Sequence, residues 1–353
     1  MIEIDGSYLE GGGAILRVAS ALSAITGKSL RVYNIRAGRK NPGLRPQHLE
    51  GLKAIADLCN ASLINAALGS TEIELHPGKI TSTQISVQIS TAGSVGLLFQ
   101  SLKAPVAMAD GEVTIRVHGG ATFAKWAPPL LTTKNVLLPI LARMGYSAEI
   151  QIERHGFYPK GGARVTIKGK PSKNLKPLLL TEPGAVIHIS GISVATTHLQ
   201  KAQVADRQAD AVRRVLSGIG AKADMEIHYV DAVCPGSGVV LRAETGTGAI
   251  LGADALGERG KPAENVGEDA ARELLETIKS GATVDDHVSD QVLIFMALAD
   301  GESSIVARKF TGHAKTNIHI IRNFLPVDFR VTEDKNVRIQ CVKPTTIQND
   351  KHL

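Results

Sequence analysis

The sequence predicts an α/β protein built from repeated α/β (α+β) units, and this prediction rests on three observations. Helix-like and strand-like segments alternate along the 353 residues. The order helix, strand, glycine-containing turn, helix, strand occurs three times, which indicates a diverged internal repeat. Between the second and third copies lies a segment of different pattern that is long enough to form a small α+β domain of its own.

The first two repeats occupy approximately 1–80 and 81–183. In the first, GGGAILRVASALSAITG has apolar residues at helical spacing and ends at a glycine. The strand SLRVYNIRAG and the helix QHLEGLKAIADLCNA follow it. In the second, TAGSVGLLFQSLKAPVAMADG precedes the strand EVTIRVHGG, the helix TTKNVLLPILARMG and the strand YSAEIQI. Each repeat is therefore expected to supply two helices and two strands.

The third repeat occupies approximately 281–340 and is separated from the second by an inserted segment at 184–280. Its ADGESSIVARKFTGH matches ADGEVTIRVHGG of the second repeat, and the helix AKTNIHIIRNFL follows. The insertion combines strand-like runs with two amphipathic helices. The sequence thus predicts a large domain at 1–183 plus 281–340, a smaller inserted domain, and a polar tail at 341–353.

The composition excludes several classes of protein. No window approaches the roughly 20 apolar residues of a membrane span, and the acidic N-terminus lacks the basic region of a signal peptide. Cys59, Cys234 and Cys341 are far apart and odd in number, which indicates thiols in a reducing compartment and not a disulfide framework or a zinc site. We therefore expect a cytoplasmic protein with no membrane partner, and homo-oligomerisation stays open.

Positive charge is concentrated near the N-terminus. The net charge is only +6, but the segment from Gly11 to Leu49 contains seven Arg and Lys residues and no Asp or Glu. Such a segment is typical of a surface that binds phosphate or a polyanion, although a solvated basic face gives the same pattern. Aromatic residues make up 4% of the chain, so we expect a nucleic acid to be held by its end and not by stacking along its length.

Two glycine-containing segments are candidates for phosphate binding. NIRAGRKNPGLRPQHL contains Arg36, Arg39, Arg45 and His48, and the planar fork of arginine matches phosphate oxygens. YLEGGGAILR leads through three glycines into a helix that contains Arg17, and helix N-termini favour anions. The alternatives are an ordinary basic loop capped by His48 and a tight strand-to-helix connection. Neither segment is a Walker A or GxGxxG motif.

His313 follows Gly312 at a predicted strand-to-helix junction and is the candidate nucleophile. A neutral imidazole can attack phosphorus and form a phosphoramidate. Arg308 and Lys309 could offset the charge of the transferred group, and Asp290 could hold a metal ion that reduces repulsion between phosphates. For an isolated histidine, a role in capping the helix is the commoner explanation.

Six motifs together resemble those of the RNA 3′-terminal phosphate cyclases, in the order found in that family. They are DGSYLEGGGAILR, IRAGRKNPGLRPQHL, TAGSVGLLFQ, HGFYPKGGARV, SDQVLIFMALADG and GHAKTNIHIIRNFLPV. The fourth, taken alone, is equally well explained as a structural hairpin. The resemblance implies three units, each with two helices packed on a four-stranded sheet, and a smaller α/β domain inserted before the third unit. Enolpyruvyl transferases share the repeated unit, so the fold alone does not determine the function.

The resemblance also implies an ATP-dependent enzyme that converts the 3′-terminal phosphate of RNA into a 2′,3′-cyclic phosphate, releasing AMP and pyrophosphate. His313 would accept AMP from ATP and pass it to the RNA end, and a divalent metal ion, Mg²⁺ or Mn²⁺, would be the cofactor. The residues implied to line the ATP site are Glu10, Gln100, His287, Val288, Ser289, Asp290 and Gln291. Those implied for the metal are Asp290 and Glu10, and those implied for the RNA 3′-phosphate end are Arg17, Arg36, Arg39 and His48.

The sequence departs from the usual residues of the family in three places, one of which is a pair of residues. Ala14 stands where a glutamine is usual, Gly312 where many members have another small or polar residue, and Val288-Ser289 where a Leu-Ala-like pair is commoner. None removes a reacting group, so the departures bear on substrate and nucleotide preference. Two other functions stay open. A non-catalytic relative that binds RNA in ribosome assembly would lack the nucleophile, and an enolpyruvyl-type transferase would leave His313 and the basic segment without a role.

Overall fold

The computed structural model describes residues 1–9, 11–219 and 221–343, and it confirms the α/β prediction. Within these residues the strands form four four-stranded sheets, with helices packed on them. None of the described helices is long and apolar enough to cross a membrane.

The first unit joins two parallel strands through a helix and then adds an antiparallel pair. Its elements are β1 (Ile2–Asp5), α1 (Gly13–Thr26), β2 (Leu30–Tyr33), α2 (Pro46–Cys59), β3 (Ser62–Ile64) and β4 (Ile73–His76). The strand order is β1-β2-β4-β3, with β1 parallel to β2 and β4 antiparallel to both of its neighbours. α1 ends at Gly27, whose left-handed φ of 68° suits glycine.

The second unit repeats this connectivity. Its elements are β5 (Gln84–Ser94), α3 (Val95–Ala107), β6 (Val113–Ala121), α4 (Leu130–Thr132), a π-helical segment (Thr133–Leu137), α5 (Leu138–Arg143), β7 (Ser147–Arg154) and β8 (Arg164–Lys170). The strand order is β5-β6-β8-β7, again with one parallel and two antiparallel pairings.

The inserted segment follows a short strand and has a different topology. Its elements, after β9 (Leu179–Leu180), are β10 (Val186–Thr196), a 3₁₀ segment (Thr197–Ala202), α6 (Val204–Leu216), β11 (Ala223–Val230), β12 (Ser237–Thr245), β13 (Ile250–Leu256) and α7 (Ala263–Ser280). The strand order is β11-β10-β12-β13. Because the first strand is internal to this sheet, the insertion is not a further copy of the repeat.

The third unit has the same topology as the first two once β9 is included. Its later elements are α8 (Asp286–Leu298), β14 (Ser303–Ala307), α9 (Gly312–Phe324), β15 (Asp328–Glu333) and β16 (Val337–Val342). β9 is parallel to β14, and β16 is antiparallel to β14 and to β15. Two details differ from the predicted boundaries. The residues of β9 fall within the bounds predicted for the second unit, 81–183, but this strand pairs with β14 of the third sheet, and β16 continues for two residues into the predicted tail.

Buried apolar residues of the described chain form three clusters. The largest spans all three repeated units and includes Leu22, Phe99 and Phe295, so the three units share one core. A second lies within the insertion. A third joins Phe123 and Phe157 of the second unit to the insertion, and the two rings stack at a centroid distance of 5.3 Å. The cysteines are buried and unpaired, as predicted: Cys59, Cys234 and Cys341.

Candidate active site

A cavity of about 130 Å³, lined by both polar and apolar residues, lies where α1, α3, α8 and α9 meet. The loop before α4 closes one side of it with Trp126 and Pro128. The structure brings together at this cavity six of the predicted site residues, which are Arg17, Gln100, His287, Asp290, Gln291 and His313. All three repeated units therefore contribute side chains to one site.

His313 is the second residue of α9, and its side chain is exposed at the cavity. The helix is capped by Thr311, not by His313: the Thr311 hydroxyl oxygen accepts a hydrogen bond from the Ala314 N–H at 2.9 Å. The imidazole is therefore not used as the helix cap. It lies at the positive end of the helix dipole, where negatively charged ligands are favoured.

Asp290 lies on α8 and is connected to the start of α9. Thr311 Oγ1 donates to Asp290 Oδ1 at 2.5 Å, and Asn317 Nδ2 donates to the Asp290 backbone carbonyl at 2.9 Å. Asp290 is 8% exposed, and its burial raises the pKa of the carboxyl to about 7 despite the hydrogen bond from Thr311. These contacts hold the turn that contains His313 against the buried carboxyl group.

One face of α8 supplies the cavity residues. His287, Asp290 and Gln291 are spaced at i, i+3 and i+4, so they lie on the same side of the helix. Val288 and Ser289 are turned into the core, at 1% and 0% exposure, and the Ser289 hydroxyl donates to the Asp286 carbonyl at 2.8 Å. The prediction that the run 287–291 lines the nucleotide site therefore does not hold for the side chains of Val288 and Ser289.

Two glutamines at the cavity are held by basic side chains. Arg17 Nε donates to Gln100 Oε1 at 3.0 Å, and Lys103 Nζ donates to Gln291 Oε1 at 2.5 Å. Lys103 is 1% exposed, and burial together with nearby Arg17 lowers the pKa of its amine well below the ordinary value. Burial also lowers the pKa of Arg17 to about 10. Because both amide oxygens accept hydrogen bonds from these partners, the two amide NH₂ groups are the parts of the side chains that point away from Arg17 and Lys103.

Sequence reasoning missed several residues at this site. Asn317 lies four residues after His313 on α9 and lines the cavity, and its Oδ1 is buried without a protein partner among the described residues. The i, i+4 spacing from a candidate nucleophile is the signal that could have identified it. Lys103 could have been noticed as a lysine within the apolar helix VGLLFQSLKAPVA. Trp126 lies in a loop with no pattern of its own.

Three basic residues of the first unit meet at the start of α1, beside the cavity. A Cβ at Gly13 would lie 2.4 Å from His48 Nε2 and 2.9 Å from Arg17 Nη1, and one at Gly12 would lie 3.5 Å from Arg39 Nη2. Gly12 is the N-cap residue and Gly13 the first residue of the helix. Arg17, Arg39 and His48 therefore surround a helix N-terminus, which is an arrangement suited to a phosphate.

His48 caps α2 and also faces the start of α1. Its Nδ1 accepts a hydrogen bond from the Arg45 backbone N–H at 3.2 Å, which closes a capping box at the start of α2. Burial lowers the pKa of His48 to about 3, with a further contribution from Arg17, Arg36 and Arg45. The ring is therefore neutral near pH 7 with its proton on Nε2, the nitrogen that faces Gly13. It can donate a hydrogen bond to an anion there.

Arg36 and Arg308 both have hydrogen-bonding partners within the protein. Arg36 Nη1 donates to the Asn41 and Gly43 carbonyls at 2.7 and 3.0 Å, so this nitrogen holds its own loop together. Burial lowers the pKa of Arg36. Arg308 Nη2 pairs with Asp286 at 2.8 Å and with Glu273 at 3.1 Å, and Arg308 does not line the cavity. Its charge is already offset by carboxylates, so the predicted contact with a transferred group does not follow.

The predicted metal site is described only in part, because Glu10 lies outside the described residues. Within the described chain no three His, Cys, Asp or Glu side chains are grouped to hold a metal ion. Mg²⁺ is usually bound by one or two carboxylates together with substrate phosphates and water. The single described carboxylate at the cavity, that of Asp290, fits an ion of this kind and not a cage made by the protein alone.

The fold and the cavity together define a protein of α/β repeats with a cation-rich site suited to phosphate groups. The family model for RNA 3′-terminal phosphate cyclases matches residues 8–331. The RNA 3′-terminal phosphate cyclase of Methanopyrus kandleri is 44% identical over 337 residues, which cover 94% of this chain and 95% of that protein. Those of Pyrobaculum aerophilum and Pyrococcus abyssi are 44% and 45% identical and cover 94% and 92% of this chain, and 95% and 93% of their own lengths. The chain belongs to the RNA 3′-terminal phosphate cyclase family.

Proposed function

We propose that this chain converts the 3′-terminal phosphate of RNA into a 2′,3′-cyclic phosphate at the expense of ATP, with His313 as the nucleophile. The observation that supports this most directly is the position of His313, exposed at the cavity that also contains Arg17. Arg17 faces the basic helix N-terminus as well. One arginine therefore lies between the proposed site of AMP transfer and the proposed site of the RNA phosphate.

In the first step a ring nitrogen of His313 attacks the α-phosphorus of ATP. The bond from that phosphorus to the bridging oxygen breaks, and pyrophosphate leaves. The Gln100 and Gln291 amide groups and Arg17 would donate hydrogen bonds to the polyphosphate, because all three line the cavity. A divalent ion held by Asp290, with Glu10 as the second proposed ligand, would reduce the charge repulsion between phosphates and the incoming nucleophile.

In the second step an oxygen of the RNA 3′-phosphate attacks the same phosphorus and the bond to His313 breaks. The RNA then ends in a mixed anhydride with AMP. Arg17, Arg39 and neutral His48 would bind the terminal phosphate during this transfer, because they converge on the start of α1. Arg36 would contribute by fixing the loop that contains Arg39.

In the third step the neighbouring 2′-hydroxyl attacks the RNA phosphorus, loses its proton and displaces AMP. The anhydride is needed because an unactivated phosphate monoester has no good leaving group. The attack is intramolecular, and effective molarities of about 10⁵–10⁸ M are known for well-oriented groups. A terminal ribose that lacks the 2′-hydroxyl is expected to stop as the adenylylated end.

The two other candidate functions are less well supported by the site. A non-catalytic RNA-binding relative has no use for an exposed His313 beside a buried carboxyl group. An enolpyruvyl-type transferase does not explain the convergence of Arg17, Arg39 and His48 at a helix start. A cytoplasmic location and homo-oligomerisation stay predictions.

The test offers the protein three RNAs of one sequence, ending in a 3′-phosphate, a 3′-hydroxyl, or a 3′-phosphate on a 2′-deoxyribose. With ATP and Mg²⁺ or Mn²⁺, we expect cyclisation of the first, no reaction of the second, and accumulation of the adenylylated end from the third. His313→Ala should form none of these products. Equal treatment of the 3′-phosphate and 3′-hydroxyl ends would contradict the proposed function.

A further inference from the structure

The turn HGFYPKGGARV contains two exposed residues that the structure of the turn does not require. Gly161 and Gly162 have φ of 71° and 87°, a left-handed conformation that favours glycine, and Phe157 is buried against the insertion. Tyr158, by contrast, is 53% exposed, and Lys160 is exposed. The glycines and Phe157 are thus explained by packing and backbone geometry, whereas Tyr158 and Lys160 are left for another role.

Tyr158 is adjacent to the active-site cavity through an exposed tryptophan. Trp126 lines the cavity and is 84% exposed. Its ring lies 6.4 Å from the Tyr158 ring at an angle of 66°, and Lys125 Nζ lies 5.2 Å from the Trp126 ring centroid. Two solvent-accessible aromatic rings therefore lead outward from the site where His313 lies. Exposed aromatic rings beside a cation are typical of surfaces on which nucleic-acid bases stack.

Beyond Tyr158, the same turn borders a cluster of positive charge. Lys160, Arg154, Arg164 and His118 line a cleft of about 290 Å³. Within the described chain no carboxylate lies within ion-pair distance of Lys160, Arg154 or Arg164, although many other surface cations are paired. Arg154 Nε donates to the Gly162 carbonyl at 2.7 Å, so the turn also fixes this guanidinium. The cluster is suited to phosphate groups.

We propose that a surface made of Trp126, Tyr158, Lys160, Arg154 and Arg164, termed here the 3′-end track, binds the nucleotides immediately 5′ of the RNA terminal phosphate. The inference rests on the proposed function, because it takes the RNA end to lie at the cavity. Bases would stack on the two aromatic rings, and backbone phosphates would contact the three cations. A single-stranded nucleic acid matches this surface, because its bases can stack on the aromatic pair and its phosphates can contact the cations that follow. The aromatic pair is itself continuous with the site of chemistry.

The inserted domain lies opposite Tyr158, one of the five track residues. A groove of about 770 Å³ lies between the second unit and the insertion, with Lys125 and Tyr158 on one side and Arg259 and Pro262 on the other. Within the described chain Arg259 has no carboxylate at ion-pair distance. The groove provides room for bases beside Tyr158 and gives the insertion a role in holding RNA. The small number of aromatic residues in the chain agrees with a track of only two rings.

The test measures binding of 3′-phosphorylated RNA, without ATP, by fluorescence anisotropy at several salt concentrations. A dinucleotide and an octanucleotide with the same 3′ end are compared in the wild type, Tyr158→Ala, and the double variant Arg154→Ala/Arg164→Ala. Lys168→Ala is the matched control, because Lys168 is an exposed cation on β8, the strand that begins at Arg164, but does not line the cleft. Adenylylation by ATP alone is measured in parallel for every variant.

We expect the wild type to bind the octanucleotide more tightly than the dinucleotide. Tyr158→Ala should weaken octanucleotide binding by about 10-fold, as expected for loss of one stacked base, and Tyr158→Phe should restore it. The double arginine variant should lower the salt dependence by about 1.4 in log–log slope, which corresponds to two phosphate contacts on a single strand. Dinucleotide binding and adenylylation should change little, and Lys168→Ala should resemble the wild type.

The track and the proposed function can fail separately. If the wild type forms adenylylated protein and cyclises RNA but the track variants bind the octanucleotide like the wild type, the track is wrong and the function stands. The same conclusion follows if Lys168→Ala weakens binding as much as the paired arginine substitutions, because the effect is then one of general charge. If no adenylylation occurs in any protein but the length dependence is lost in the track variants, the RNA path is supported and the chemistry is not.

Discussion

The packing of Gly13 against His48 leads to a quantitative prediction for Gly13→Ala. A Cβ at this position would lie 2.4 Å from His48 Nε2, whereas ordinary contacts of a Cβ begin at 3.4 Å. The histidine ring must therefore move by about 1 Å, and it is 8% exposed and tied through Nδ1 to Arg45. Misplacement of a site group by about 1 Å can cost about 10²-fold in rate. We expect kcat/KM for RNA 3′-phosphate to fall by about that factor, which corresponds to about 2.7 kcal/mol.

Gly12→Ala is the matched control for this substitution. Its Cβ would lie 3.5 Å from Arg39 Nη2, which is ordinary van der Waals distance, and Gly12 has an extended backbone that alanine also adopts. The assay is steady-state cyclisation at varied RNA concentration, with thermal unfolding followed by circular dichroism to detect loss of fold. We expect Gly12→Ala to stay within a few-fold of the wild type.

A double-mutant cycle separates the clash with His48 from other effects. If the alanine acts mainly by displacing His48, Gly13→Ala should cost much less in the His48→Ala background than in the wild type, and what remains should come from its 2.9 Å approach to Arg17 Nη1. Wild-type kcat/KM in Gly13→Ala would contradict displacement of His48. Equal damage in Gly12→Ala would contradict it as well, because the effect would then concern the start of the helix in general.

Three further predictions follow from burial and pairing. The folded pKa of His48 is about 3 and its ordinary value is 6.5, so the unfolded chain takes up the proton first and stability falls as the pH drops from 6.5 towards 3. Between pH 7 and pH 5 this amounts to about 2 kcal/mol, and His48→Asn should lose that much less in urea unfolding than the wild type; parallel pH curves would disprove the assignment. Ser289→Ala should keep the rate of adenylylation within about 3-fold of the wild type, because the serine faces the core. Gln291→Ala should lower that rate by about 10-fold or more, because a hydrogen-bond donor to the phosphates is lost. Equal rates in the two variants would contradict the positions assigned to both residues. Arg308→Ala should reduce the free energy of unfolding by about 1–3 kcal/mol through its lost partners Asp286 and Glu273, with adenylylation nearly unchanged, and a large loss of adenylylation in a stable protein would return Arg308 to the site of transfer.

Local pattern was sufficient to predict the repeats and part of the site. Apolar spacing identified the helices, and the glycine before His313 correctly placed it at the junction between a strand and α9. The same helical periodicity also explains why the prediction for the run 287–291 on α8 had to be corrected. His287, Asp290 and Gln291 share a face, and a helical projection assigns Val288 and Ser289 to the other side.

What sequence could not show depends on contacts between distant parts of the chain. The hydrogen bond from Lys103 to Gln291 joins residues 188 apart in sequence, and neither residue type predicts that the two are in contact. Arg308 was predicted to lie near the transferred group because it is close to His313 along the chain, but it forms an ion pair with Glu273 on α7. β9 consists of two leucines, and only its pairing with β14 assigns it to the third sheet.

The central claim is that His313 forms a covalent bond to the α-phosphorus of ATP, and labelling with α-³²P-ATP tests it most directly. The protein is incubated with the nucleotide and a divalent metal, denatured, and digested for peptide mapping. We predict one labelled peptide, containing His313, whose label is lost in acid, survives alkali, and is absent from His313→Ala. Label on another residue, or none at all in a protein that still cyclises RNA, would contradict the account.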